Sequence, residues 1–107
     1  MAEVKIVAIY PRPVDIDAFE KVYAEEHVPM VREKMKGMTN FVATKVVASP
    51  QGTAPFHRIA ELYFPSLEAL QECAASPGGQ ETIAHAVKIS TGGAPIVLIA
   101  EEESLKL

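Results

Sequence analysis

The chain has 107 residues, a net charge of −4 and one cysteine, the size of one domain, since domains commonly hold ~100–150 residues. The acidic balance, with no basic run and no glycine-rich phosphate loop, argues against a nucleic-acid partner. Cys73 stands alone, which excludes an internal disulfide. The longest apolar runs, such as Pro95 to Ala100, are far too short to span a bilayer, so no membrane partner is expected. Met1 to Lys5 lacks the charged start and long apolar middle of a secretory signal, and a cytoplasmic location follows by elimination.

Val4 to Tyr10 is dense in β-branched and aromatic residues and stops at Pro11-Arg-Pro13, which reads as a strand ended by residues that cannot join a ladder. Asp15 or Asp17 can cap the next segment, a helix running toward Met35 and closed by Gly37. At ~100° per residue, Phe19, Val22, Tyr23 and Met30 share one side of it, while Glu20, Lys21, Arg32 and Glu33 fall elsewhere as solvent-facing charges. Thr39 to Ala48 is a second strand, followed by a loop of turn-forming residues from Ser49 to Pro55. Phe56 to Phe64 is the third strand. Ser66 caps a short helix with Leu67, Leu70 and Ala74 inward. Ser76-Pro77 restarts a helix whose inner face is Ile83 and Val87. Gly92-Gly93 breaks it, Ala94 to Ala100 is strand four, and the acidic tail from Glu101 is expected to fray. With no internal repeat or linker, residues 1–107 read as a single domain.

The order strand, helix, strand, strand, helix, strand is the split pattern of a ferredoxin-like α+β sheet, four-stranded and antiparallel, with both helices on one side. A sheet with one wet side alternates apolar and polar residues. Here Val4, Ile6 and Ala8 oppose Val7 and Ile9 in strand one, and Ile96, Leu98 and Ala100 oppose Val97 and Ile99 in strand four. Both faces are apolar and two short helices cannot cover both, so a homodimer is expected.

Several segments together resemble the EthD-like proteins of the dimeric α+β barrel superfamily. They are Val7-Ala-Ile-Tyr10 with Arg12-Pro13, Phe19 and Tyr23 leading to His27-Val-Pro29, Arg58 to Phe64, Ser66 to Leu70, and Ala75-Ser-Pro77 with Gly79-Gln80. The resemblance covers roughly Val4 to Glu101. It implies two ferredoxin-like subunits whose sheets face each other as a dimeric α+β barrel, and neither metal nor organic cofactor. Relatives look like cofactor-free dehydratases or decarboxylases, and neighbouring families include cofactor-free monooxygenases and lactone isomerases. Gly78 departs from the pattern, where a good helix former such as glutamate is expected.

His27 lies one turn after Tyr23 and two after Phe19, and Pro29 removes an amide donor and presses on the carbonyl of Glu25. The imidazole suits proton transfer near neutral pH, or else fixes the bend as a structural group. Period two puts His57, Ile59, Glu61 and Tyr63 on one side of strand three. Glu61 is either a proton carrier with a raised pKa or half of a salt bridge to Lys45, to Arg58 or across the dimer. His57 lies ~13 Å from Glu61 along the strand, too far for a dyad. Tyr10, Tyr23 and Tyr63 can anchor a substrate oxygen and Phe19, Met30 and Phe41 can line walls, although such stripes are more often plain core. His85 falls opposite Ile83 and Val87 and reads as exposed, and Cys73 reads as an inert thiol. Three scattered histidines have no zinc spacing, so no metal is expected.

The leading expectation is a cofactor-independent enzyme acting by proton transfer on a small, mostly apolar organic catabolite, through isomerisation, dehydration or decarboxylation. His27 moves the proton, Glu61 orients it, and Tyr23 or Tyr63 holds a substrate oxygen. The rival is a non-catalytic ligand-binding or accessory dimer. A polar pair converging in a closed cavity favours the enzyme, and a wholly aliphatic cavity the rival.

Overall fold

β-Branched and aromatic residues set the first element. In the computed structural model, which describes residues 3–107, β1 spans Glu3–Pro11. Asp15 proves to be the cap of α1 (Ile16–Val22), its side chain accepting from the Ala18 N–H at 3.1 Å. A π-helical turn over Tyr23–His27 follows, with the Val28 N–H donating to the Tyr23 carbonyl, and then α2 spans Val28–Lys34. β2 (Asn40–Lys45) and β3 (Phe56–Phe64) lead to α3 (Leu67–Ala75) and α4 (Pro77–Ile89), capped by Ser66 and Ser76. β4 spans Ile96–Glu102, so Glu101 and Glu102 extend the strand, paired with Val4 and Glu3, where fraying was expected.

The sheet order is β2-β3-β1-β4 with every pair antiparallel. This is the ferredoxin-like arrangement, but the expected barrel does not form. Among the described residues β2 and β4 pair only with their inner neighbours, and the sheet stays open. Four strands can twist, but closure demands a tilt and stagger that so few strands do not supply.

The registers Ile6↔Leu62, Ala8↔Ala60, Phe41↔Leu62 and Ala8↔Val97 place these residues on the helix-covered face. Ile6, Tyr10, Ala60, Leu62 and Phe64 pack there against Phe19, Tyr23, Val31, Met35 and Leu70. Lys5, Val7, Ile9, Ile59, Glu61 and Tyr63 alternate onto the open face. The two-sided apolar reading is clearest in β4, where Val97 on one face is 43% exposed and Leu98 on the other is 49% exposed.

Strict alternation fails at one point. Tyr10 pairs with Arg58 but Pro11 with Phe56, leaving His57 as an extra residue. This β-bulge re-aims His57 toward α1, where it is 4% exposed and lies 3.0 Å from Glu20. His57 therefore leaves the side it was expected to share with Glu61.

Gly78 also has a physical reason. A Cβ there would come within 2.9 Å of the Lys34 carbonyl oxygen, so the missing side chain lets α4 approach the end of α2. An ion pair of 2.7 Å between Lys34 and Glu81 ties the same two helices.

Candidate active site

Phe19, Tyr23, His27, Val31 and Met35 recur every four residues, and all are buried. On an ideal helix each such step drifts ~40°, so five of them would wind off any single face. The π turn resets the phase. It widens the helix just before Pro29, where an α-helical hydrogen bond is unavailable anyway, and such turns are frequent at functional sites. The expected inner face of Phe19, Val22, Tyr23 and Met30 is therefore corrected. Met30 is half-buried, and Val31 and Met35 hold the inner positions instead.

The ladder builds a column of rings. Phe19 stacks on Tyr23 (centroids 5.5 Å) and Tyr23 on His27 (5.8 Å), and His27 meets the near-parallel ring of His85 of α4 edge to edge (5.1 Å). Tyr10, 1% exposed on β1, stands edge-on to the first three. Its hydroxyl lies 3.2 Å from His27 Nε2, while His27 Nδ1 lies 2.9 Å from His85 Nδ1. His85 Nε2 lies 3.7 Å from the Glu26 carboxylate. Tyr10, His27 and His85 thus link three elements into one polar chain from the interior toward the surface.

Hydrogen-bond accounting orients this chain. If His27 Nε2 carried the proton, the buried Tyr10 O–H would be left with no acceptor. The satisfied arrangement has Tyr10 donating to Nε2, His27 Nδ1–H donating to His85 Nδ1, and the His85 Nε2–H turned toward Glu26. Burial, with His85 adding to it, lowers the His27 pKa to about 4, and burial likewise raises that of Tyr10. Both are neutral at pH 7.

Tyr10 and His27 open onto an apolar cavity of about 40 Å³ between helices and sheet, room for about three water molecules. Ile6, Ala8, Leu62, Phe41, Val31 and Val97 form much of its wall. Thr82 also lines it, but its hydroxyl is spent on the Gly78 carbonyl at 2.7 Å. Among the described residues the remaining polar lining is one phenol and one imidazole, hydrogen-bonded to each other.

The other expected site residues are distributed as follows. Phe41 lines the cavity with Tyr10 and His27, while Phe19 and Tyr23 lie in the ring column beyond its wall. The Tyr23 hydroxyl is buried without a hydrogen-bond partner among the described residues, and Arg58 sits 5.0 Å over its ring. Glu61 and Tyr63 are on the open face of the sheet, away from His27. Glu61 pairs with Lys5 and accepts from the Tyr63 hydroxyl at 3.3 Å. Its salt bridge is thus to neither Lys45 nor Arg58.

Those two cations go to Glu20, which was expected to be a solvent-facing charge. Arg58 donates to it twice, at 2.7 and 3.0 Å, His57 adds a contact at 3.0 Å, and Lys45 approaches to 3.8 Å. Arg58 chiefly, with His57, pulls the Glu20 pKa down to about 2 against its partial burial.

His85 is the residue that sequence reasoning missed. Large residues were used to phase α4, yet the buried stripe is Gly79, Thr82, Ala86 and Ile89, and Val87 is 52% exposed. Small residues at three- and four-residue spacing were the available signal, because they mark where helices approach closely. His85 lies ~80° from the centre of that stripe, on its flank. Cys73 is buried, its thiol pKa raised by desolvation, with Met35 sulfur at 3.9 Å. Among the described residues no three His, Cys, Asp or Glu converge as a metal would need, and no helix is long and apolar enough to cross a membrane.

Residues 11–88 match the EthD domain. The chain belongs to the EthD family. An EthD-family protein from Bacillus halodurans is 32% identical and superposes with a TM-score of 0.87, covering 94% of this chain and 99% of that one. An uncharacterized protein from the thcB-thcC intergenic region of Rhodococcus erythropolis is 29% identical over 101 residues, 94% of this EthD-family chain and 97% of its own length. A dimeric ferredoxin-like protein of unknown function from Jannaschia sp. CCS1 shares the fold, at TM-score 0.63 and 18% identity over 97% of this chain and 100% of that one.

Proposed function

We propose that this EthD-family chain is an enzyme that moves a proton on a small, mostly apolar organic molecule, using Tyr10 and His27 and needing no cofactor for that step. The carrying observation is the convergence of these two groups at 3.2 Å on an otherwise apolar cavity. With the Tyr10 O–H donating to His27 Nε2, the phenol oxygen can take a substrate proton as the imidazole takes the phenol's, and the reverse movement returns it. Isomerisation, dehydration and decarboxylation each require such a transfer. Glu61 has no part in it, being engaged with Lys5 on the opposite face of the sheet. Tyr23 and Tyr63, expected to hold a substrate oxygen, do not line the cavity, and the phenol there is that of Tyr10.

The test is exchange of acidic C–H positions in D₂O. Small cyclic and polyketide-like ketones are incubated with the protein and followed by mass spectrometry. Enzyme-dependent deuteration is expected, reduced about 10²–10⁴-fold in His27→Gln and in Tyr10→Phe. Compounds that bind the cavity yet never exchange would instead support the carrier reading.

We also propose a cytosolic homodimer assembled on the open face of the sheet. Val7, Ile9, Ile59 and Leu98 lie on that face with no helix among the described residues over them, and the ferredoxin-like protein from Jannaschia is described as dimeric. Sedimentation should give twice the 11.6 kDa chain mass, and a species at 11.6 kDa would defeat the idea.

A further inference from the structure

We infer that His85, half-buried on α4, receives the proton that Tyr10 and His27 pass out of the cavity, with Glu26 beside it to hold the resulting charge. The inference rests on the proton-transfer reading above but concerns a residue outside the cavity wall.

The geometry supports it in three ways. The contacts form an unbroken line: Tyr10 hydroxyl to His27 Nε2 at 3.2 Å, His27 Nδ1 to His85 Nδ1 at 2.9 Å, and His85 Nε2 to Glu26 at 3.7 Å. The two imidazole planes are 14° apart, and centroids at 5.1 Å with the facing nitrogens at 2.9 Å set the rings edge to edge, so the Nδ1–H lies along the hydrogen bond. Exposure rises along the line, from 1% at Tyr10 and 4% at His27 to 12% for the His85 side chain and 65% for that of Glu26.

Charge explains why such a line is useful. A phenolate at Tyr10 and an imidazolium at His27 are both penalised by burial, the latter also by His85. A stepwise base in this cavity would have to dwell in one of these states. The relay avoids both. The substrate C–H bond breaks and its proton bonds to the Tyr10 oxygen as the Tyr10 O–H proton passes to His27 Nε2. In the same movement the Nδ1–H proton passes to His85 Nδ1. The electron pair of the broken C–H bond stays on the substrate. Tyr10 and His27 end neutral, His27 having exchanged one tautomer for the other, and the positive charge rests on His85 facing the Glu26 carboxylate. Reversal returns a proton to the substrate. No oxidant or co-reactant enters the balance. His85 is thus a positioning and relay residue that acts through His27.

The experiment uses the full chain and the His27 Nδ1–H proton itself as the probe. Nitrogen-15 NMR should show His27 protonated at Nδ1 and a scalar coupling between the two Nδ1 atoms. His85→Gln keeps an oxygen to accept the hydrogen bond but cannot pass a proton on, so exchange of the Nδ1–H with water should slow at least tenfold at an unchanged melting temperature. In His85→Ala, free imidazole should restore the exchange. His27 protonated at Nε2, or an exchange rate unmoved in a folded His85→Gln, would overturn the inference. If the Gln variant does not fold, His85→Asn makes the same comparison. Because no substrate takes part, failure here leaves the D₂O assay standing, and failure of that assay leaves the tautomer and exchange results to decide the relay.

Discussion

The two faces of the sheet each carry a carboxylate knot, and the two are built differently. Glu20, brought down from α1 onto the covered face, and Glu61, on the open face, have similarly exposed side chains, 24% and 21%. Their partners separate them. Glu20 gathers a bidentate guanidinium and a buried imidazole, whereas Glu61 holds one lysine and one tyrosine hydroxyl. Lys5 also has Glu102 at 3.8 Å in reserve. Beside the Glu20 knot, the same covered face keeps Tyr10 and His27 uncharged. Exposure of one group thus says little about its importance; what it would strand on leaving says more.

The largest expected effect follows from that difference. Glu20→Ala leaves Arg58 and His57 without an acceptor and should cost about 3 kcal/mol in urea unfolding. A loss below about 1 kcal/mol would show that water replaces the carboxylate and would erase the contrast between the faces.

The second effect is in pH dependence, and two groups set two windows. His27 titrates at about 4 in the folded chain against 6.5 in the unfolded one, so the unfolded state binds more protons between them. Its share of stability is complete above pH 6.5 and is lost as pH falls through 4. Glu20, at about 2 against 4.5, holds its share above pH 4.5 and loses it as pH falls through 2. Stability measured from pH 7 to 2 should therefore fall in two stages. His27→Gln should flatten the upper stage alone; an unchanged slope there would mean that the imidazole is not kept neutral.

Glu61→Ala is the mildest. Lys5 turns to Glu102 or to water, and the change should stay near 1 kcal/mol. A loss of 3 kcal/mol would mark the open-face pair as far drier than one subunit makes it, and so would sharpen the case for a covering partner.

Much of this fold was legible in the residues. Turn residues and prolines bounded the strands, Ser66 and Ser76 announced two helices, and the element order pointed to a ferredoxin-like sheet. The barrel was not, because strand count and edge pairing are properties of the assembled sheet. At the site, periodicity placed Tyr23 on the inner side of the first helix and His27 at the edge of that side, and Tyr10 was read as a wall or anchor. It misplaced Met30, because a π turn changes the phase that an ideal helix would keep. It misplaced His57 because one bulged residue reverses the alternation. Glu61 makes its salt bridge to Lys5, and not to Lys45 or Arg58, since register across strands chooses the neighbour.

What the sequence determined by itself is local: which segments extend, which coil, where each begins, and that two faces of the strands are apolar. Those outcomes depend on backbone sterics, capping and side-chain period within a few residues. Only the tertiary structure decided that Tyr10, His27 and His85, separated by 17 and 58 positions, form one chain of contacts. That juxtaposition depends on how α4 packs against the π turn, which no periodicity within either segment specifies.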